Sequence, residues 1–231
     1  MLGQRIRGLF RPNGEVSPNG AGVLAAHGFE HSLRQPRVPM EMDRSSNGLR
    51  QFFENLPHES KMRILDLGGA SQANINFIAL QGHKLYTEDL LVGLERLQAT
   101  AREQEQRANL AARFIRENIH FPPAHFDGIL VWDTLEFLDE ELLPAVVAQL
   151  QTIVKPGGTL LTFFHTLAKG ETVHVCRYQI RDHQTLRLQP RLSRPLPRAF
   201  NNRSLERLFA NFRAVKFFLA KDNLREVIVT R

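Results

Sequence analysis

The 231-residue sequence is poor in cysteine and in polar aromatic residues, with one cysteine, one tryptophan and two tyrosines. A single thiol, Cys176, excludes a disulfide framework within the chain and a zinc site built from cysteines. No stretch approaches the roughly 18 consecutive apolar residues that a membrane-spanning helix needs. Arg5 and Arg7 are not followed by an apolar run, so a secretory signal is not expected. These features predict a cytoplasmic location without membrane contact.

Acidic residues are scarce in the last quarter of the chain. Residues 1–175 carry 17 Lys and Arg against 20 Asp and Glu, whereas residues 176–231 carry 13 against 4. The formal net charge of +6 therefore comes entirely from the C-terminal part. Such an asymmetry indicates either a surface for nucleic acid or an arginine-rich face exposed to solvent. We favour the solvated face and keep nucleic acid as the less favoured partner.

Glycine and proline are concentrated in the first 43 residues, where they occupy 10 positions without a sustained apolar period. This composition predicts a flexible or loosely docked N-terminal arm over residues 1–43. A capping sequence at Ser45-Ser46-Asn47 then predicts the first helix. We therefore expect residues 44–231 to form one folded domain.

Short apolar runs alternate with amphipathic helical patterns up to residue 164. The predicted strands are residues 62–67, 84–87, 126–132 and 159–164, with a poorly defined third strand around residues 113–115. A long helix is expected over about residues 92–108. Continuous apolar strands separated by helices are typical of an α/β domain with a mostly parallel sheet covered on both faces.

The pattern changes after residue 164. Alternating residues on both sides of Asp182-His183 predict a small β-hairpin over about residues 173–189. Residues 214–219 and 226–230 predict two more strands joined by a tight turn. The sheet is therefore expected to end in an antiparallel hairpin.

A glycine turn follows the first predicted strand of the sheet. Residues 68–73 (GGASQA) lead from that strand into a helix, and Asp89 lies 21 residues beyond Gly68 at the end of the next strand. Glycines at such a crossing let the backbone approach a ligand closely, and a carboxylate at Asp89 suits the two hydroxyls of a ribose. Together these features predict a nucleotide-like ligand at the carboxyl edge of the sheet.

Four motifs in order resemble class I S-adenosylmethionine-dependent methyltransferases. They are residues 64–71 (ILDLGGAS), residues 82–90 ending in Glu88-Asp89-Leu90, residues 119–137 (IHFPPAHFDGILVWDTLEF) and the Lys155-Pro156-Gly157-Gly158 turn. The resemblance covers about residues 48–231. It implies a Rossmann-like, doubly wound, seven-stranded and mostly parallel sheet with a reversed terminal hairpin, and the hairpin at 173–189 becomes an insertion after strand five.

The resemblance also implies the cofactor S-adenosylmethionine, its product S-adenosylhomocysteine and a set of contacts. By position in the motifs, the implied cofactor-binding residues are Asp66, Gly68, Gly69, Ala70, Glu88, Asp89, Leu90, Asn118, Ile119, Trp132 and Asp133. Asp89 is the implied ribose acid, with Glu88 as the fallback.

Three departures from the family pattern concern the cofactor site and motivate an alternative in which the domain is a degenerate relative. Ala70 and Gln72 stand where the family has glycines, and Ile115 falls near the position of its adenine-binding acid. Asn118 is the nearest polar substitute for that acid. A left-handed Ala70 would cost about 1–2 kcal/mol.

The sequence does not specify a catalytic residue, and the chemistry does not demand one. Methyl transfer from a sulfonium depends mainly on positioning, and a base is needed only when the acceptor must lose a proton. Asp133 and His165 are the candidates, Asp133 for orienting ligand and His165 as the base. No histidine or cysteine spacing indicates a metal site.

These observations favour methyl transfer to a small-molecule acceptor, with the inserted hairpin over the acceptor site. A degenerate relative that binds cofactor weakly or not at all, acting as an interaction or regulatory protein, is the main alternative. An RNA methyltransferase that uses the basic C-terminal region and a nicotinamide-dependent dehydrogenase rank lower. The sequence leaves the acceptor and the oligomeric state open.

Overall fold

The computed structural model describes residues 41–56, 61–101, 107–220 and 222–231. The strands are β1 Met42–Ser45, β2 Arg63–Asp66, β3 Lys84–Thr87, β4 Phe126–Trp132, β5 Val154–His165, β6 Thr172–Asp182, β7 Thr185–Pro195, β8 Ala214–Leu219 and β9 Leu224–Thr230. The helices are α1 Asn47–Asn55, α2 Gln72–Leu80, α3 Leu90–Thr100, α4 Arg107–Asn118, α5 Leu142–Ile153 and α6 Asn202–Leu208, with a 3-10 helix at Thr134–Phe137.

The central sheet has the strand order β3-β2-β4-β5-β9-β8. Strands β3, β2, β4 and β5 are parallel, and β9 is antiparallel to both β5 and β8. The sheet is mostly parallel because the crossing helices return the chain to the same edge each time. This arrangement confirms the predicted α/β class and Rossmann-like sheet. The carboxyl ends of β2, β3, β4 and β5 meet at one edge.

The expected third strand is wrong. Residues 113–115 lie inside α4, so the central sheet of the described residues has six strands rather than seven. Ala111, Phe114 and Asn118 are buried at helical spacing, which the two apolar residues Phe114 and Ile115 read in isolation do not reveal. The preceding helix is also shorter than predicted, because α3 ends at Thr100 and Ala101 is extended. Residues 102–106 lie outside the described part.

A second, three-stranded sheet has the order β1-β7-β6 and is antiparallel throughout. Strands β6 and β7 form the hairpin predicted at 173–189, and both strands run further than expected. Strand β1 pairs Met42 with Leu188 at its edge, so part of the predicted arm is a strand. Residues 1–40 lie outside the described residues, and the division near residue 43 stays a prediction. We call β1, β6 and β7 the inserted sheet.

Apolar side chains cover both faces of the central sheet. Helices α3, α4 and α5 bury residues such as Leu94, Phe114 and Val146 on one face. On the other face, Phe52 of α1 and Ile78 of α2 share a cluster with Tyr178 of the inserted sheet. The inserted sheet is therefore part of the hydrophobic core and not an exposed appendage.

A buried ionic cluster joins the inserted sheet to the end of the central sheet. The Arg44 guanidinium of β1 donates to the carboxylates of Asp222 and Glu226. The second oxygen of Glu226 accepts hydrogen bonds from the Ser46 hydroxyl, at 3.1 Å, and from the Gly48 amide. Both Arg44 and Glu226 are almost fully buried. The cluster fixes β1 against β9, since each buried charge has lost its water and depends on its partner.

Candidate active site

The turn between β2 and α2 lies against Asp89, which follows β3 and caps α3. Gly69 is left-handed, with φ +87°, and a Cβ at this position would lie 2.7 Å from Oδ2 of Asp89. The Gly68 amide donates to Oδ1 of Asp66 at 3.0 Å. Ser71 then caps α2 by accepting from the Asn74 amide. A side chain at Gly69 would clash with the Asp89 carboxylate and would be strained by the positive φ, which explains the glycine.

Ala70 does not adopt the strained conformation considered from the sequence. The non-glycine residues with positive φ in the described residues are Ala124, Trp132 and Asn223. The left-handed position of the turn is Gly69, and Ala70 is exposed. The missing family glycine at this position therefore costs the backbone nothing.

Asp89, not Glu88, presents its carboxylate at the glycine turn. Asp89 Oδ1 caps α3 by accepting from the Val92 amide at 3.1 Å. Its Oδ2 accepts from Nη1 of Arg191, on β7, at 3.0 Å. Glu88 contributes its backbone carbonyl to the Gly69 amide, and partial burial raises the pKa of its side chain. Leu90 is fully buried, and its backbone amide donates to Leu67.

Trp132 covers the glycine turn. It is 1% exposed, and its left-handed backbone, φ +58°, places the indole beside Gly68. The indole Nε1 donates to Oδ1 of Asp66 at 2.7 Å. Burial raises the pKa of the Asp66 carboxyl, while donors from Trp132, Asn74 and Gly68 oppose that shift. Trp132 and Asp66 therefore form the floor of the site.

The inserted sheet closes the site from above. The Tyr178 ring stacks on Trp132 with centroids 5.0 Å apart and an interplanar angle of 3°. The Asn74 side chain joins α2 to this sheet, donating to the Tyr178 carbonyl at 3.0 Å and accepting from the Ile180 amide at 2.7 Å. With Arg191 on Asp89, these contacts place the hairpin directly on the predicted cofactor residues. The expected role of the hairpin as a cover over the acceptor site stays a prediction.

Three acidic and basic side chains follow β4 and end β5. Asp133 is fully buried and accepts a hydrogen bond from the Tyr178 hydroxyl at 3.0 Å. Burial, with a smaller contribution from the charge of Glu136, raises the pKa of Asp133 to about 7. Glu136 in the 3-10 helix contacts His165 Nδ1 at 2.5 Å. Burial alone would lower the pKa of His165, but the bond and charge of Glu136 and the charges of Asp133 and Asp222 raise it above its ordinary value.

The two adenine-side predictions lie elsewhere. Asn118 Nδ2 donates to the Phe114 carbonyl at 2.8 Å, and its amide lies against Gly93 of α3. Ile119 is fully buried, and its carbonyl accepts from Gln149 of α5. The structure therefore brings Asp66, Gly68, Gly69, Asp89, Trp132 and Asp133 together, and it places Asn118 and Ile119 among α3, α4 and α5. Their role in adenine binding stays a prediction.

Two contacts of the site were missed by sequence reasoning. Asn74 is a polar residue on the buried side of α2, which is a usable signal for a structural hydrogen-bonding role. Arg191 carries no such signal among the many arginines of the C-terminal quarter. Its pairing with Asp89 depends on the register of a hairpin about a hundred residues away.

The described residues hold no group of three His, Cys, Asp or Glu side chains that would bind a metal ion. Within the same residues, no helix is long and apolar enough to cross a membrane.

Comparison with known proteins gives one family match, over residues 41–213, described as a methyltransferase domain. No curated protein sequence matches the chain. Solved structures that it resembles include a putative S-adenosylmethionine-dependent methyltransferase from Listeria monocytogenes, with TM-score 0.47, 12% identity, and coverage of 80% of this chain and 97% of that one. Another is a methyltransferase from Mesorhizobium loti, with TM-score 0.46, 12% identity, and coverage of 78% and 96%.

A third is the 1,6-didemethyltoxoflavin-N1-methyltransferase of Burkholderia thailandensis, crystallised with 1,6-didemethyltoxoflavin and S-adenosylhomocysteine. It has TM-score 0.43, 16% identity, and coverage of 80% of this chain and 77% of that one. These likenesses are distant, so the assignment rests on the family match, which spans most of the chain. The chain belongs to the methyltransferase domain family, which confirms the enzyme predicted from the four motifs, a class I methyltransferase with S-adenosylmethionine as its methyl donor.

Proposed function

We propose that the carboxyl edge of the central sheet binds S-adenosylmethionine and transfers its methyl group to a small-molecule acceptor. The observation that carries the proposal is the close approach at Gly69, where the backbone of a left-handed glycine without a side chain lies against the carboxylate of Asp89. A close backbone approach next to a carboxylate is what the ribose and methionine parts of the cofactor require. The backbone of the site therefore fits the cofactor.

The cofactor contacts follow from this arrangement. Asp89 accepts from the ribose hydroxyls, and the backbone from Gly68 to Ala70 lies along the methionine part. Asp66 ends β2 and Asp133 follows β4, so both lie at the carboxyl edge of the central sheet. When bound, the cofactor supplies a methyl group that is already activated for displacement. The protein's own contribution is to hold and orient both reactants and exclude water.

Two side chains already contact the place that the cofactor needs. Arg191 is bonded to Asp89 Oδ2, and the Trp132 indole lies on Gly68. Both must move when the cofactor binds. This observation also favours a second candidate function, a degenerate domain in which these contacts are permanent and the chain acts as an interaction or regulatory protein.

Intramolecular contacts of the basic residues support a small-molecule acceptor over RNA. Arg187 pairs with Asp43, Arg191 with Asp89 and Arg194 with Glu95. The Arg198 and Arg225 guanidiniums donate to backbone carbonyls. Because these cations are engaged within the fold, the positive excess of the C-terminal quarter is less available for phosphates.

Calorimetric titration with S-adenosylhomocysteine and S-adenosylmethionine tests the proposal. The informative variant is Asp89→Asn, because asparagine caps a helix as well as aspartate does and removes only the charge. Loss of a charged hydrogen-bond acceptor is worth about 1.5–3 kcal/mol, so we expect affinity to fall roughly tenfold or more.

Asp139→Asn is the matched control, since Asp139 also accepts from amides at a helix start, away from the glycine turn. Fluorescence of Trp132, the single tryptophan, provides a second readout at the site. Binding of neither ligand to the folded protein would reject the enzyme proposal and leave the interaction-protein alternative. Equal binding by both variants would reject Asp89 as the ribose acid.

A further inference from the structure

A cavity of about 260 Å³ lies between the carboxyl end of β5 and the inserted sheet. Its wall includes His165, Leu167 and Leu224 on the side of the central sheet, and Cys176, Tyr178 and Leu188 on the side of the inserted sheet. The cavity is mostly apolar, and its wall also holds two imidazoles, those of His165 and His174, and the carboxylate of Asp222. Such a combination is typical of sites for small organic molecules.

His165 is held by both oxygens of one carboxylate. Its Nδ1 lies 2.5 Å from Glu136 Oε1, and its backbone amide donates to Glu136 Oε2 at 2.9 Å. Glu136 is 1% exposed, so water does not compete for it. A carboxylate at Nδ1 keeps the proton of the neutral ring on that nitrogen and leaves the lone pair on Nε2. No hydrogen bond to Nε2 occurs within the part of the chain that the structure describes.

Other titratable groups face the imidazole from every neighbouring element. Asp133 precedes the 3-10 helix, Asp222 lies in the turn between β8 and β9, and Tyr178, Cys176 and His174 come from β6. Arg44 of β1 neutralises part of the Asp222 charge. Burial raises the pKa of the Cys176 thiol to about 12, and burial likewise raises the pKa of Tyr178, so both stay protonated near neutrality. Of the two imidazoles at the cavity, only that of His165 is oriented by a buried carboxylate, since His174 Nδ1 contacts the Ser193 hydroxyl instead. His165 is therefore the candidate proton acceptor.

We propose that this cavity binds the methyl acceptor, that the acceptor carries a phenolic hydroxyl, and that His165 Nε2 removes its proton with Glu136 as a positioning residue. This inference rests on the proposed function. The phenolic oxygen attacks the methyl carbon, an O–C bond forms and the C–S bond of the sulfonium breaks. The sulfur keeps the electron pair of the broken bond, and the proton of the hydroxyl passes to Nε2.

The acidity of the hydroxyl selects the acceptor class. A phenol such as the tyrosine side chain has a pKa near 10, within reach of an imidazole whose pKa Glu136 raises above its ordinary value. An aliphatic alcohol is a much weaker acid, and a neutral amine has its own lone pair and needs no base. Apolar walls formed by Leu167, Leu188 and Leu224 suit an aromatic ring.

Tyr178 connects this cavity to the proposed cofactor site. Its ring lines the cavity and stacks on Trp132, whose indole lies on Gly68. The cavity and the glycine turn are therefore neighbours on two sides of one aromatic pair. The displacement of Trp132 that cofactor binding requires would join the two spaces.

The test uses 4-nitrophenol, whose phenolate absorbs visible light, so that ionisation of the bound dye is read without methyl transfer. At a pH below the dye's own pKa, wild-type protein should convert bound dye to phenolate against the imidazolium. His165→Asn should abolish this shift, and one pH unit below the dye's own pKa methylation should fall by up to about tenfold, which is the gain in ionised fraction that a base can supply there. His120→Asn, at an exposed histidine, is the control and should behave as wild type.

The Glu136→Gln variant tests whether Glu136 acts by positioning His165 or only by keeping the domain folded. It keeps a hydrogen-bonding side chain but removes the charge that raises the pKa of His165, so dye ionisation should move along the pH axis and not vanish. Circular dichroism verifies folding of each variant.

S-adenosylhomocysteine binding, measured on the same samples, distinguishes the two proposals. Dye that does not bind, or that ionises equally in His165→Asn, overturns the acceptor proposal whether or not the cofactor product binds. Failure to bind S-adenosylhomocysteine overturns the proposed function, while a His165-dependent dye shift would still support the proton-accepting cavity.

Discussion

Replacing Asp133 with asparagine should change how the stability of the domain depends on pH. Asp133 is fully buried at the end of β4, and burial together with the nearby Glu136 charge raises its pKa to about 7. Asparagine has the same shape, cannot ionise, and offers a carbonyl oxygen that can still accept from the Tyr178 hydroxyl. The substitution therefore removes one titrating carboxyl group with little change in packing.

The magnitude follows from linkage between protonation and folding. In the unfolded chain an aspartate titrates near 3.9, so its folded pKa of about 7 means that the folded state holds the proton more tightly. The stability contributed by the protonated carboxyl is fully present below about 3.9 and is lost as pH rises through about 7. With about 1.4 kcal/mol per pKa unit, the loss amounts to roughly 4 kcal/mol. The Asp133→Asn variant should not show this loss of stability as the pH rises.

Urea unfolding of both proteins between about pH 4 and pH 8 measures this difference. We expect similar free energies of unfolding at the acidic end and a more stable variant at the alkaline end. Asp139→Asn, at an exposed acid, should keep the wild-type pH dependence. Parallel pH profiles for wild type and Asp133→Asn would refute the reasoning, because they would mean that Asp133 is ionised in the folded protein throughout this range.

Two further substitutions test the contacts of the inserted sheet. Arg191→Ala frees Oδ2 of Asp89 for the ligand. Because both side chains of the pair are partly exposed, we expect calorimetry to show only two- to fivefold tighter binding of S-adenosylhomocysteine, about 0.4–1 kcal/mol. Weaker binding would show that Arg191 contacts the cofactor instead of competing with it. Glu226→Ala leaves Arg44 buried with one carboxylate fewer and should lower the free energy of unfolding by about 3–5 kcal/mol in urea, whereas Glu206→Ala, at an exposed acid, should not.

The central sheet could be predicted because its signals are local. Each of β2, β4 and β5 contains a continuous apolar run, and a helix returns the chain between neighbouring parallel strands. The helix at residues 113–115 could not be distinguished from a strand by sequence, because Phe114 and Ile115 are apolar in either element. Only the burial of Ala111, Phe114 and Asn118 on one side distinguishes the two, and burial is a property of the packed domain.

The contacts of the site likewise fall into those set by neighbouring strands and those set by distant packing. Gly68, Gly69 and Asp89 are neighbours because β2 and β3 are adjacent parallel strands, so a motif of about 20 residues already contains their geometry. The contacts of Tyr178 and Arg191 depend on where a distant hairpin docks, and alternation fixes which side chains share a face but not which partner that face meets. For this reason Asp89 was predicted and its ion pair was not.

Trp132 shows how the two kinds of information combine. A left-handed backbone costs a residue with a Cβ about 1–2 kcal/mol, and here that conformation turns the indole onto Gly68. The hydrogen bond to Asp66 and the stack with Tyr178 hold it there. The family resemblance predicts Trp132 at the cofactor edge, and in the structure its indole stacks on the Tyr178 ring of the inserted sheet. In the proposed function, cofactor entry and hairpin docking act on the same side chain. Because Tyr178 stacks on Trp132, a variant that loosens Tyr178 should alter the fluorescence of Trp132 before any ligand is added.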